Sequence, residues 1–332
     1  MSDSENLVVD GAIRYGWMRA RPRVANPLEG AAGPIGWLRR TRLKEWIGLF
    51  VAHSEWSAGF ILQDAKYHRA SDVHAYHGDT DTLVTHSTRG EVSLPANALE
   101  TTSSVSGPGY DIRLVFGGPG GTHRITIDVA ASTEGPAMRG ELLLHGEGSS
   151  APLSVSERLT RGSLYTWKET FPVSGELRVG DSTIRFEPAR DVAIIDEHRS
   201  LQPYRTDWTW GTFGFPTASG IVGANFVTRP HRAGQQGESA LWADGVCEPL
   251  GDITFVPSGQ DPLAPWTITS DDGGLAVEFT PKRRKPTVLS LGVFAMDYVM
   301  MYGSYRGIVR TDRATYGVHD VPGTCERMHA RL

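Results

Sequence analysis

The sequence predicts an all-β protein made of two antiparallel β domains in tandem, packed together. Three observations carry that expectation. Short runs of apolar–polar alternation are separated by turn signals about every 8 to 12 residues, the cadence of sandwiches and barrels. Helical periodicity is scarce along the chain. The 38 glycines and 20 prolines among 332 residues suit many turns and short strands.

In chain order, LKEWIGLFVAH from Leu43, SAGFILQDAKY from Ser57, DIRLVFG from Asp111, HRITIDVAA from His123 and MRGELLLHGEG from Met138 each read as a strand. SGPGY and GGPGGT between them read as loops. In GELRVGDSTIRFEP and WTITSDDGGLAVEF the central VGDS and DDGG segments are hairpin turns. One stretch, LGVFAMDYVMMYGSYRG from Leu291, offers a long helix, which its glycines weaken. A first series of strands closes with FPVSGELRVGDSTIRFEPARDVAIID, and PYRTDWTWGTFGF opens a second, so the expected domains are 1–190 and 191–332. Closed antiparallel barrels remove exposed edges, and small ones hold one small ligand.

A hydrophobic content of 39% and a charged content of 21% describe an ordinary soluble protein with enough apolar residues for a core. The net charge of −5 leaves no basic footprint for nucleic acid. The KRRK run at 282–285, just before Pro286, reads as a solvated turn. No apolar run approaches the roughly 18 residues of a membrane span. The acidic N-terminus lacks the apolar region of a secretion signal, so the expected location is cytoplasmic. Two cysteines without close spacing, Cys247 and Cys325, read as reduced structural thiols. GGPGGT lacks phosphate-loop spacing, and no GxSxG elbow occurs. His74 and His77, near His68 and His86, stand at a spacing that points to opposite faces of a strand, so no metal site is expected. No cofactor is implied.

The densest stretch is DEHRSLQPYRTDWTWGTFGF, residues 196–215. With a period of two, Tyr204, Thr206, Trp208 and Trp210 share one face, while Arg205, Asp207 and Thr209 share the other. Asp196–Glu197–His198–Arg199, before Pro203, reads as a loop or strand end presenting an acid and a base at a cavity mouth. The competing account is an aromatic core strand with a surface salt bridge. Glu45, beside Trp46, shares parity with Leu43, Ile47, Leu49 and Val51. A carboxylate there is costly unless it is paired or neutral, or unless the strand start is frayed and reaches water. Residues 294–307 gather Tyr298, Tyr302, Tyr305 and three methionines with Asp297, which suits a pliable apolar pocket or plain core packing.

Several ordered motifs resemble the domain-of-unknown-function family 2804 over nearly the whole chain. They are Asn26–Pro27, RLKEW from Arg42, FPVSG from Phe171, PYRTDWTWG from Pro203, GANF from Gly223, ADG from Ala243, FTPKRR from Phe279, YGSYRG from Tyr302 and the terminal CERMHARL. A more distant resemblance is to the double lipocalin-like group: AttH-like proteins, carotenoid 1,2-hydratase, tocopherol cyclase and fungal Diels–Alderases. It rests on an acid–histidine segment, a proline, then an acid followed by WxWG. The hydratase motif runs Asp–His–Asn–Trp where this chain has Asp196–Glu197–His198–Arg199, so the histidine is displaced by one and the tryptophan is an arginine.

That resemblance implies two lipocalin-like domains holding an apolar substrate in a β cavity. It also implies acid-initiated alkene chemistry or shape-controlled cyclisation. Asp196, His198, Asp207, Trp208 and Trp210 are the positions it transfers. The expectation is therefore a cofactor-independent hydratase, dehydratase, isomerase or cyclase acting on an isoprenoid-, steroid- or polyketide-like molecule. Asp196 or Asp207 would donate the proton, with His198 as orienting partner. Trp46, Tyr204, Trp208, Trp210, Tyr298, Tyr302 and Tyr305 would shape the pocket and stabilise developing positive charge. The alternative is a non-catalytic carrier of an apolar ligand. The partner is a small hydrophobic molecule, and a homodimer is left open.

Overall fold

The computed structural model describes residues 6–31, 33–97, 101–229 and 236–331, apart from the side chains at 35 and 291. The first residues of the acidic N-terminus and Leu332 lie outside the described residues. The described chain is nearly all strand, in a sheet of 14 strands, a sheet of 9 and a small two-stranded pair. Every strand pairing is antiparallel, as short hairpin connections between alternating runs require. The stretches read as strands from sequence form Leu43–Ala52, Trp56–Asp64, Tyr110–Val115, His123–Val129 and Met138–Leu144. The two expected hairpins form as well, joining Gly162–Val179 to Ser182–Phe186 and Trp266–Ser270 to Leu275–Leu291.

In the larger sheet the strands Arg69–His77, Trp56–Asp64, Leu43–Ala52, Val192–Leu201 and Gly162–Val179 lie side by side. The 18-residue strand Gly162–Val179 pairs with Val192–Leu201 along its first part and with Met138–Leu144 along its second. Gly175, at φ 117°, takes a backbone conformation that other residues rarely adopt, where the strand passes between these partners. The second sheet is centred on Arg205–Thr217, Thr315–Arg331, Phe294–Arg310 and Leu275–Leu291. The change of sheet falls between Leu201 and Arg205, so Val192–Leu201 belongs to the first sheet.

Three apolar clusters follow from this arrangement. One fills the first sheet's concave side, with Ile47, Leu49, Val51, Ala193 and Ile195. Another fills the second, around Phe213, Phe226, Phe279 and Tyr305. The third lies between the sheets, where Phe50, Val192 and Ile194 meet Ile221 and Trp242. Burying Phe50, Ile194 and Ile221 contributes about 1.5–3 kcal/mol each. Leu43–Ala52 and Val192–Leu201 are therefore covered on both faces. Odd-numbered positions enter the first core, and even-numbered positions face the second sheet.

Four expectations need correction. The methionine-rich stretch from Leu291 is no helix: it forms the strand Phe294–Arg310, and among the described residues the one helix is Gly33–Arg42. KRRK is part of the strand Leu275–Leu291, not a turn. Its prolines, Pro281 and Pro286, lie beyond the last residue paired to the neighbouring strand, on an edge where no N–H is needed. Asp196–Arg199 sits mid-strand, opposite Glu45, Trp46, Ile47 and Gly48, rather than in a loop. Glu45 neither frays nor stands alone: it is buried and pairs with Arg199 and Lys66.

Candidate active site between the two sheets

Even-numbered positions of the first sheet change character along the interface. The apolar layer at Phe50 and Ile194 gives way to Trp46, Gly48, Asp196 and His198. Register extends this polar layer sideways: Lys168 stands opposite Asp196, Asp196 opposite Gly48, Gly48 opposite Ile61, and Ile61 opposite Asp72. Facing them from the second sheet are Trp208, Trp210, Tyr298 and Glu326. Asp196, Gly48, Ile61 and Asp72 are half-buried although their strands lie inside a sheet covered by another. Trp46, Trp208, Tyr298 and Glu326 are half-buried too. Surface retained at such depth lines a cleft. Gly48 is its floor, because a Cβ added there meets nothing closer than 3.7 Å, and its nearest neighbours belong to the first sheet.

His198 is held by charge and by stacking. Its Nε2 lies 3.1 Å from Asp196 Oδ1 and 3.3 Å from Glu238 Oε2. Lys168 Nζ sits between the same two carboxylates, at 3.0 and 3.2 Å, and Arg229 also pairs with Glu238. The Trp46 ring stacks on the imidazole with centroids 4.5 Å apart and planes at 22°. Lys168 Nζ stands 5.0 Å from the Trp210 ring centre. Burial pushes the His198 pKa below its ordinary value, against the pull of Asp196. With Nε2 facing two carboxylates, the network assigns the proton to Nε2 and leaves Nδ1 as a lone pair. That Nδ1 is buried and has no hydrogen-bond partner among the described residues.

Asp196 and Glu326 respond oppositely to depth. Burial would raise Asp196, but Lys168 and then His198 outweigh it and hold the carboxyl well below the usual range. Burial raises Glu326, and the two donors it has do not reverse this. Those donors are Trp208 Nε1, at 2.7 Å from Oε1, and the Tyr298 hydroxyl, at 2.6 Å from Oε2. Burial also pushes the Tyr298 phenol up, with Glu326 adding to it. Trp210 Nε1 donates to Asn225 Oδ1 at 2.7 Å, and Asn225 Nδ2 donates to the Glu238 carbonyl at 2.7 Å, tying the tryptophan to the ionic cluster.

Of the residues expected at a site, the structure brings together Asp196, His198, Trp46, Trp208, Trp210 and Tyr298. Tyr302 is buried on the same face, stacked on Tyr76 and against His74. Asp207 does not join them: parity turns it outward, where it bonds His329 Nδ1 at 2.6 Å with about half its side chain exposed. Tyr204 is exposed, its hydroxyl donating to the Val293 carbonyl. Tyr305 is separated from Tyr302 by odd parity; it lies in the second core and donates to the Thr324 carbonyl at 2.7 Å.

Sequence reasoning missed Glu326, Lys168 and Glu238. Lys168 alternates with Thr166 and Thr170, which reads as a solvated stripe unless a second sheet is known to cover it. Glu326 lies in the terminal CERMHARL segment, on the parity of Met328 and Ala330, both buried.

Cavities of about 470 and 490 Å³ lie elsewhere. One is the first sheet's mouth by Trp37, Glu45 and Arg199; the other is a rim between Trp56, Lys282 and Arg306. Neither reaches Asp196 or Glu326, and the cleft is preferred because it gathers carboxyls of opposed proton affinity. Among the described residues no histidine, cysteine and acid group is arranged to hold a metal ion.

The chain matches the family described as Domain of unknown function (DUF2804) over residues 2–332. No curated protein matches it by sequence. Its fold is similar to the crystal structure of CghA with Sch210972, at 11% identity and a TM-score of 0.57, covering 88% of this chain and 89% of that one. It is also similar to kievitone hydratase from Nectria haematococca, at 11% identity and a TM-score of 0.50, covering 87% and 88%.

Proposed function

The chain belongs to the DUF2804 family, and we propose that this member is an acid–base enzyme of the hydratase, dehydratase, isomerase or cyclase kind. It acts without a cofactor on an apolar alkene held between the two sheets. One observation carries the reading: two carboxyls in one aromatic-walled cleft, Glu326 raised and Asp196 lowered. Environments that push paired acids apart assign the donor and the base.

Glu326, protonated, gives its proton to an alkene carbon, and the alkene's electron pair forms the new C–H bond. The cation left on the neighbouring carbon lies beside the Trp208 and Trp210 rings, which stabilise it electrostatically. Water then adds and loses a proton, or an adjacent C–H bond gives up its proton to form a new alkene, or an internal nucleophile closes a ring. Asp196, ionised and about one-fifth accessible, takes the released proton. His198 and Lys168 position that carboxylate. The structural likeness to a protein named kievitone hydratase supports the class, and the likeness to CghA, whose crystal structure was determined with Sch210972, is in keeping with a bound ligand.

The test is exchange from solvent. Protein is incubated in D₂O with an organic extract of its own host cells and with a panel of isoprenoid and polyketide alkenes. The expected result is deuterium at carbon in one compound, lost in Glu326→Gln and retained in Asp207→Asn. Binding of a compound with no deuterium uptake by any protein would instead identify a carrier.

A further inference from the structure

The four most exposed large apolar side chains among the described residues are Val288, Trp37, Val293 and Leu38, at 74, 68, 64 and 57%. They come from two places far apart in the chain. Trp37 and Leu38 belong to the helix Gly33–Arg42, and Val288 and Val293 to the hairpin that joins Leu275–Leu291 to Phe294–Arg310. Contacts bring both places to one end of the molecule. Lys44 Nζ donates to the Thr41 carbonyl, in the helix's last turn, at 2.8 Å and stands 4.7 Å from the centre of the Tyr67 ring. Tyr67 stacks on Phe294, the residue after Val293, with centroids 4.5 Å apart. The Tyr204 hydroxyl donates to the Val293 carbonyl at 2.6 Å. Tyr67 and Tyr204 are themselves exposed, so rings continue the apolar surface from the helix to the hairpin tip.

The same end carries cations with no acid to balance them. Arg39, Arg40 and Arg42 crowd the last turn of the helix, all exposed, and its first turn holds no acid. Arg42 donates to the carbonyls of Gln202 and Arg161 rather than to a carboxylate. Beside the hairpin tip, Arg205 and Arg331 stand directly opposite each other in the register, like charges on one face, a cost that an anion between them would offset. Arg331 reaches only the Gly292 carbonyl, at 3.5 Å. None of these five arginines has an ion-pair partner among the described residues. Exposed arginines elsewhere do: Arg124 pairs with Glu141, Arg139 with Asp128 and Arg306 with Asp320. The acids near this end are already matched. Glu45 and Asp64 are buried against Arg199, Lys66 and Arg69, while Asp207 and Asp297 flank His329 in the register. A chain of net charge −5 is thus polarised, with its positive pole here.

We propose that this end is a docking face for the surface of an anionic lipid bilayer. Indole and phenol rings settle at the headgroup level of a bilayer, aliphatic side chains enter its acyl boundary, and arginines are drawn to its negative surface. Nucleic acid would match the arginines but not Val288, Val293 and Leu38, which cannot stack on bases as rings do. A second copy would match the apolar residues but would set the arginines of one protomer against those of the other. The cleft runs toward this face: Tyr298, which holds Glu326, lies four residues from Phe294, about 13 Å along the strand. Docking points that end of the cleft at the layer in which apolar molecules dissolve. The proposal stands on the surface alone and does not rest on the catalytic reading.

The test is flotation of the full chain with phosphatidylcholine vesicles, pure or mixed with phosphatidylglycerol. Wild-type protein binds the mixed vesicles about tenfold more tightly than the neutral ones, and added salt narrows the difference. Arg39→Gln combined with Arg40→Gln weakens binding to the mixed vesicles about tenfold, and Trp37→Ser combined with Val293→Ser does the same. Arg124→Gln, on another surface, leaves it unchanged. The substituted side chains are exposed, so each variant keeps the wild-type urea midpoint, and lost binding is not lost folding. No flotation, equal flotation with neutral vesicles, or undiminished binding in both double variants overturns the docking face. Binding of single-stranded RNA, or dimerisation, that these variants abolish while vesicles are ignored overturns it too and assigns the face to that partner. The two readings fail separately. Vesicle binding without deuterium uptake removes the catalytic reading alone, whereas uptake without vesicle binding removes the docking face alone.

Discussion

Glu326 and Asp196 are carboxyls of one cleft whose proton affinities are driven apart, the first upward by burial, the second downward by Lys168 and His198. Glu326 binds its proton more tightly folded than unfolded. Its ionisation therefore costs stability as pH rises from the unfolded value of about 4.3 through the higher folded value. Glu326→Gln removes that cost. Urea unfolding at pH 4 and pH 8 should show the variant gaining on wild type at the higher pH, and a gain equal at both pH values would contradict the assignment. Asp196 has the opposite sign: its contribution is present above about pH 3.9 and is lost as pH falls through the depressed folded value.

Turnover needs Glu326 protonated and Asp196 ionised. Activity should hold between the two pKa values and fall as pH rises through that of Glu326. Trp208→Phe and Tyr298→Phe each delete a donor to the Glu326 carboxylate, so each should move the alkaline limb further up. A downward move in the pH–rate profile of either variant would rule out a stabilised carboxylate. Glu326→Gln should lower the rate by roughly 10²–10⁴-fold.

Lys168 lies between Asp196 and Glu238 with about 1% of its side chain accessible. Lys168→Met leaves two buried carboxylates short of a cation and should cost about 3–5 kcal/mol in denaturant unfolding. Adding Glu238→Gln should recover part of that loss, since the double variant buries one charge fewer. A double variant weaker than the sum of its parts would count against this pairing.

Asp207 and Tyr305 separate site from scaffold. Asp207→Asn removes an exposed pair with His329 and should change stability by about 0.2–1 kcal/mol, with no change in turnover. Tyr305→Phe strands the buried Thr324 carbonyl and should cost roughly 1–3 kcal/mol while leaving ligand affinity intact. Loss of turnover in folded Asp207→Asn would return that acid to the mechanism.

The strands are legible in the sequence where alternation meets turn chemistry, as from Leu43 and through the VGDS and DDGG hairpins. Parity along one strand also suffices to separate Trp208 and Trp210 from Asp207. The KRRK strand is not legible, because its prolines break the pattern of a paired strand and only the edge position tolerates them. The acid–histidine segment reads as a loop because its strand is covered on both faces, so charged residues alternate toward two interiors: Glu197 and Arg199 into the first, Asp196 and His198 into the cleft. Glu326, Lys168 and Glu238 come together through register between strands far apart in the chain. A local pattern does not contain that register.

The most direct measurement is a ¹³C NMR titration of side-chain carboxyls in protein labelled at aspartate and glutamate, with Glu326→Gln and Asp196→Asn used to assign the signals. Glu326 should titrate above every exposed glutamate and Asp196 below every exposed aspartate. Both carboxyls titrating in the ordinary range, or in the reverse order, would contradict it.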